Sequence, residues 1–218
     1  MEEYNPKYLT YLLESPGESS KADYKVAIGF KENEEFSVKL IKQMIGMANN
    51  QGGYLVIGFN DSNFSFDANL DDKIVKSYDT TRLSQSANSY TTNQESISLT
   101  VHKKRHDGKT FPIIRVVPFI NYPFFTSDKD ERKNSGRIMK KGCIYFRDEE
   151  AKTVAIANEA QMKKIIDRCV KNQQHSILRE FKDLLEMATA GGLSPGEEKA
   201  MKVQDEGWIL EARNRSKE

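Results

Sequence analysis

Ala48-Asn49-Asn50-Gln51-Gly52-Gly53-Tyr54-Leu55-Val56-Ile57-Gly58-Phe59-Asn60-Asp61 is the stretch on which the fold turns. Before it, Phe36, Leu40, Ile41, Met44, Ile45 and Ala48 recur at helical spacing from Glu35 to Asn49, with acidic residues at the start. Asn49 to Gly53 ends that helix. Tyr54 to Phe59 is an apolar run of strand length, and Asn60 to Asn63 turns the chain.

Working outward, Tyr8 to Leu13 predicts a short helix, broken by Ser15-Pro16-Gly17, and Ala22 to Val26 predicts a short extended segment. Residues 63–96 are rich in Ser, Thr, Asn and Asp, so one short helix near Lys73 to Tyr78 is expected and loop elsewhere. Ile97, Leu99 and Val101 alternate with polar residues as a half-buried strand does. His106-Asp107-Gly108-Lys109 then signals a hairpin into a second strand from Thr110 to Val117. An irregular basic stretch, 118–141, leads to a strand from Gly142 to Arg147. Two helical stripes follow, Met162 to Val170 and Ile177 to Ala188, stopped by Gly191-Gly192. Ser194-Pro195-Gly196-Glu197 has the pattern of a capping box for a last helix.

The 218 residues are 38% hydrophobic and 30% charged, an ordinary globular composition. No apolar run reaches the roughly 18 residues that span a bilayer. The start, Met1-Glu2-Glu3-Tyr4, lacks the basic and apolar regions of a secretory signal. Cys143 and Cys169 make neither a stapled scaffold nor a zinc ligand set, and packed thiols in a reducing cytoplasm are the expectation. The net charge of +1 hides a segregation. Val101 to Arg147 holds 12 Lys or Arg against 4 Asp or Glu, while the rest of the chain is net −7. A positive face of this kind attracts phosphate backbones, and a solvated basic loop is the plain alternative.

Three motifs carry the functional reading. The first is Glu18-Ser19-Ser20-Lys21-Ala22-Asp23-Tyr24-Lys25; the second is the helix end and Gly-Gly strand through Asp61; the third is Gly142-Cys143-Ile144-Tyr145-Phe146-Arg147. In this order they resemble the AlbA-like domain of Schlafen proteins and of many bacterial proteins, over roughly residues 14 to 170. The order of elements predicts an α+β domain across 1–170 with a helical extension over 171–218, and the resemblance implies that the domain is an AlbA-like mixed sheet packed with helices. In nuclease-active Schlafen members, acids of the first two motifs form a three-carboxylate site that cuts RNA, notably transfer RNA. The matching positions here are Glu18, Asp23 and Asp61, with Lys25 at the motif lysine. Asp23 departs from the family's usual Glu, which asks the geometry to adjust by one methylene. The zinc ligands of animal Schlafens have no counterpart.

The chemistry is coherent on its own terms. Clustered carboxylates hold Mg²⁺ or Mn²⁺, which neutralises a scissile phosphate and activates water, and Lys25 supplies a point charge for a phosphate. Lys103, Lys104, Arg105, Arg132, Lys133, Arg137, Lys140, Lys141 and Arg147 form the expected nucleic-acid-binding set, interleaved with Tyr122, Phe124, Phe125 and Tyr145. Each acid also has a purely structural reading: Glu18 as a cap, Asp23 paired with Lys21 or Lys25, Asp61 as a turn residue. Core positions are expected for Phe111, Tyr145 and Phe146, while Phe124 and Phe125 stay open. Gly52, Gly53 and Gly58 do not make a phosphate loop, because no Gly-Lys-Ser/Thr follows them. Three functions remain: a metal-dependent endoribonuclease preferring RNA to DNA, a non-catalytic DNA- or RNA-binding regulator, and a protein-interaction subunit. The last would use the helical tail with Trp208-Ile209-Leu210 as anchor, and a homodimer through the C-terminal helices fits the same tail.

Overall fold

A computed structural model of the chain describes residues 5–60, 63–92, 95–130 and 136–190, with side chains to 187. The elements in order are α1 (Pro6–Glu14), β1 (Ala22–Lys25), α2 (Glu34–Ala48), β2 (Gly53–Ile57), α3 (Asp72–Ser77) and α4 (Thr80–Ser89). Then come β3 (Leu99–His106), β4 (Lys109–Val116), β5 (Tyr145–Arg147), β6 (Thr153–Ala155) and α5 (Glu159–Ala190). The chain divides after Cys169 into the units Met1–Cys169 and Val170–Glu218, and α5 runs through the division. The architecture is α+β.

Four strands form one sheet in the order β1-β2-β4-β3. β1 and β2 pair in parallel, so the chain crosses over between them through α2, whose Asn33 cap accepts from the Phe36 amide. β4 adds to β2 antiparallel and β3 closes the sheet as a hairpin edge, turning at Asp107 and Gly108, both at positive φ. Leu55, Val56, Ile57 and Phe59 are all fully buried, which explains the unbroken apolar run: a central strand covered on both faces has no polar side to alternate with. β5 and β6 make a separate two-stranded sheet against α2.

The Gly52-Gly53 pair is a packing device. A Cβ on Gly52, at φ +72°, would stand 2.5 Å from the Val116 carbonyl oxygen, and one on Gly53 would stand 2.8 Å from that of Lys21. The space that a phosphate loop would need is filled by the chain's own backbone.

Asn49, fully buried at the end of α2, holds the second layer in place. Its Nδ2 donates to the carbonyls of Phe124 and Tyr145, each at 2.9 Å, and its Oδ1 accepts from the Phe124 amide at 2.6 Å. Asn50 Nδ2 donates to the Arg147 carbonyl at 2.6 Å. Phe124 is consequently core at 2% exposure, while its neighbour Phe125 is 40% exposed. Phe111, Tyr145 and Phe146 are buried as expected.

Several expectations need correction. Residues 63–96 contain two helices, not one, since Asp79 caps α4 by accepting from the Arg82 amide and Leu83 and Ala87 bury one stripe. The strand expected at Gly142–Arg147 begins only at Tyr145, and β6 was not anticipated. The two C-terminal stripes belong to one continuous 32-residue helix, because the polar stretch between them contains no helix breaker. The helix expected from Ser194, and Trp208 to Leu210, lie outside the described residues.

We predict that Asn49→Ala lowers stability by about 3 kcal/mol or more, at roughly 1–3 kcal/mol for each buried group left unpaired. Urea unfolding measures this. Asn49→Asp should not rescue it, since a carboxylate would face two carbonyl oxygens.

Candidate nucleic-acid site

The first motif opens with a tight turn. Ser19 Oγ accepts from the amides of Lys21 and Ala22 at 3.2 and 3.0 Å, and the Ser19 amide donates to the Ala22 carbonyl at 2.9 Å. This sets Glu18 just ahead of β1. Along β1 the side chains alternate, so Asp23 and Lys25 share a face of the sheet while Tyr24 takes the other. Tyr24 is buried and its hydroxyl donates to the Leu12 carbonyl at 2.8 Å, which fastens α1 to the strand; burial pushes its phenol up to about 12.

Glu18 and Asp23 stand close enough for their carboxyls to act on each other electrostatically. Partial burial and the neighbouring Asp23 carboxyl raise the Glu18 pKa, against the pull of Lys25 and Arg147. Glu18 as a whole residue is exposed, so solvent reaches the pair from its side alone. Asp23 is itself only 2% exposed. Lys25 Nζ lies 3.1 Å from Asp23 Oδ1 and also donates to the Tyr24 carbonyl at 2.9 Å. An ammonium has three protons, so one remains for another acceptor. Asp23 Oδ2 is buried without a hydrogen bond, 3.6 Å from Arg147 Nη1.

Arg147 stands apart from the expected binding set. At 1% exposure it donates from Nε to the Ser19 carbonyl and from Nη2 to the Ala22 carbonyl, at 3.1 and 3.2 Å. Its guanidinium locks the first motif to β5 and does not face outward, which corrects its assignment to a phosphate-binding surface.

The other basic residues do not share one place. The strand order puts β1, with Asp23 and Lys25, at one edge of the sheet and β3, with Lys103, Lys104 and Arg105, at the other. The two edges are three strand spacings apart, about 14 Å. Arg137, Lys140 and Lys141 are exposed on the loop before β5, and Lys141 pairs with Asp128 at 3.1 Å. That loop is closed at its neck by Thr126 and Cys143, and buried Asp130 accepts from the Ile138 and Met139 amides at 2.7 and 2.8 Å. Asp61, Arg132 and Lys133 lie outside the described residues. Cys143 and Cys169 are free thiols.

Among the described residues no group of three or more His, Cys, Asp or Glu side chains is placed to hold a metal, and no helix is long and apolar enough to cross a membrane. The fit to a divalent cation therefore rests on Glu18 and Asp23 alone. Two carboxylates suit Mg²⁺ or Mn²⁺ that keeps several waters and takes further oxygens from a phosphate. Asn49 and Asn50, which hold the third motif, were not singled out from the sequence. Two adjacent carboxamides beside an apolar helix end were the signal that was available.

The family profile described as Schlafen, AlbA_2 matches residues 18–156. No curated protein matches. Among solved structures, the DIP2311 protein from Corynebacterium diphtheriae is 16% identical with a TM-score of 0.43, over 68% of this chain and 25% of that one. The N-terminal domain of an ATP-dependent DNA helicase RecG-related protein from Nitrosomonas europaea is 17% identical with a TM-score of 0.38, over 64% of this chain and 91% of that one. The chain thus spans about a quarter of the first of these.

Replacing Arg147 by Met should cost about 1–3 kcal/mol or more, because it removes one of the two cations beside buried Asp23 and the donor to the Ser19 and Ala22 carbonyls. Adding Asp23→Asn should recover part of that loss. A double-mutant cycle by urea unfolding checks it; strictly additive effects would mean that the two side chains are not coupled.

Proposed function

The chain belongs to the Schlafen AlbA_2 family, and on that premise we propose that it processes nucleic acid as a metal-dependent endoribonuclease acting on transfer or structured RNA. The observation that carries the reading is the Glu18–Asp23 carboxyl pair at a solvent-reachable sheet edge. Two carboxyls brought close together are a pair whose charge a divalent cation can neutralise. Glu18 and Asp23, with Asp61 as third acid by motif position, would hold Mg²⁺ or Mn²⁺. When bound, the ion supplies charge neutralisation at the phosphate and a more acidic water.

The chain's own residues do the rest. Glu18 would present its carboxylate to the cation, with the proton as competitor because its pKa is raised, and Lys25 would offer its third ammonium proton to a phosphate oxygen. Arg147 holds Asp23 in place from behind, its Nη1 3.6 Å from Asp23 Oδ2. Lys103, Lys104, Arg105, Arg137, Lys140 and Lys141 attract the nucleic-acid backbone without reading its sequence.

A second reading has its own support. Asp23 is buried between Lys25 and Arg147, an arrangement that gives this acid a structural task and suits a module that binds nucleic acid without cutting it. Purified protein incubated with total transfer RNA and a single-stranded DNA control, in Mn²⁺ or EDTA, separates the two. On the nuclease reading RNA is cut only with metal, and Glu18→Gln or Asp61→Ala slows cleavage by roughly 100-fold or more, within the range for losing a group that handles the reacting proton or metal. Nucleic acid bound but intact selects the binding module.

Binding itself should follow charge. Removing Lys103, Lys104 and Arg105 together should weaken retention and lower the salt slope by roughly one for each phosphate no longer neutralised. The Mn²⁺ affinity should rise with pH through the raised Glu18 pKa, since the proton competes with the cation. Glu18→Gln should weaken the affinity and flatten that pH dependence, as titration calorimetry across the acid range would measure.

A further inference from the structure

The part of α5 in the second unit is a helix face with large apolar side chains in water. Val170, Ile177, Leu178, Phe181, Leu184 and Met187 are 48, 65, 64, 52, 62 and 69% exposed. Scattered apolar residues are normal on a surface, but these lie along one stripe. Val170, Gln174, Ile177, Phe181 and Leu184 follow one another at intervals of four, three, four and three, the seam of a coiled coil. Leu178 widens the seam, and Gln174 is its single polar position. Lys182 and Glu186 pair with each other at 3.4 Å, off the seam. A lone helix of this length draws little stability from propensity in water and needs its apolar face packed.

We propose that residues 170–187 of α5 pair with the same helix of a second copy, making the chain a homodimer. Three observations favour a copy as the occupant. The four-three spacing is self-complementary, since one seam accepts another of the same kind. The segment carries Lys171, Arg179 and Lys182 against Glu180, Asp183 and Glu186, so it has no net charge with which to repel itself. Six large apolar side chains on each copy stand about half to two-thirds exposed, an apolar face of the kind that a specific interface covers. The chain's own tail does not match this face. Met201, Val203, Trp208, Ile209 and Leu210 fall at intervals of two, five, one and one, which is not a seam. The proposal stands independently of the nuclease reading.

Sedimentation velocity of the full chain over a range of micromolar concentrations tests it. Wild type should sediment with the mass of two chains, and Ile177→Glu with Phe181→Glu should weaken association by at least a hundredfold. Arg179→Glu, off the seam, should leave the mass unchanged. A wild type that stays a single chain throughout overturns the proposal, and so does a dimer that survives the double change, which would place the interface elsewhere. A Trp208→Glu chain that associates when wild type does not would assign the stripe to the tail, also overturning it.

Discussion

Asn49 sits in the protein interior with every hydrogen-bonding atom of its carboxamide engaged, and its partners lie 75 and 96 residues away along the chain. Its neighbour Asn50 reaches 97 residues to the Arg147 carbonyl. These bonds join the end of α2 to β5 and to the segment before it. Arg147, held by its backbone in that way, sends its guanidinium back to the Ser19 and Ala22 carbonyls and to Asp23. The three motifs that are far apart in sequence therefore form one closed circuit: helix end to β5, β5 to the Glu18 turn, and the β1 strand to β2 through the sheet. An acid pair at a sheet edge is held in register by a buried cation from the other layer, and the two glycines permit the strand approach on which that register depends.

Much of this was legible because burial leaves a periodic signature. The fully apolar β2, the α2 stripe and the β3–β4 hairpin with Asp107-Gly108 at its turn were all readable from spacing and turn chemistry. What escaped notice had no such signature. α4 is built from Thr, Ser, Asn and Gln, with only Leu83 and Ala87 buried, and its existence depends on a cap and on the surfaces it covers. β6 is three residues long, too short for alternation to show. The polar residues between Val170 and Ile177 interrupt the apolar pattern of α5 but not its backbone, so one helix read as two.

The site was legible in part. Motif order brought Glu18, Asp23 and Lys25 to attention, and they do lie together. Counting charge along the chain put Arg147 with the surface lysines, and that was misleading. Charge counts record how many cations a segment has, not which of them a tertiary partner withdraws from solvent. Nothing local marks Arg147 as buried, because the carbonyls it satisfies are 125 and 128 residues upstream. The dispersal of the remaining cations over two regions was equally invisible, since strand order is a property of the sheet and not of any one strand.

The distance between Asp23 and Arg147 also has a temporal side. Asp23 emerges from the ribosome long before the cation that compensates it. At about 5–20 residues per second the delay is roughly 6–25 s. During that interval the nascent β1 and β2 can pair, but the Glu18 turn has no guanidinium to bind its carbonyls and the acid pair lacks its rear counterion. The acid pair therefore gains its full set of counterions only once β5 has been made, however early its own strand is laid down.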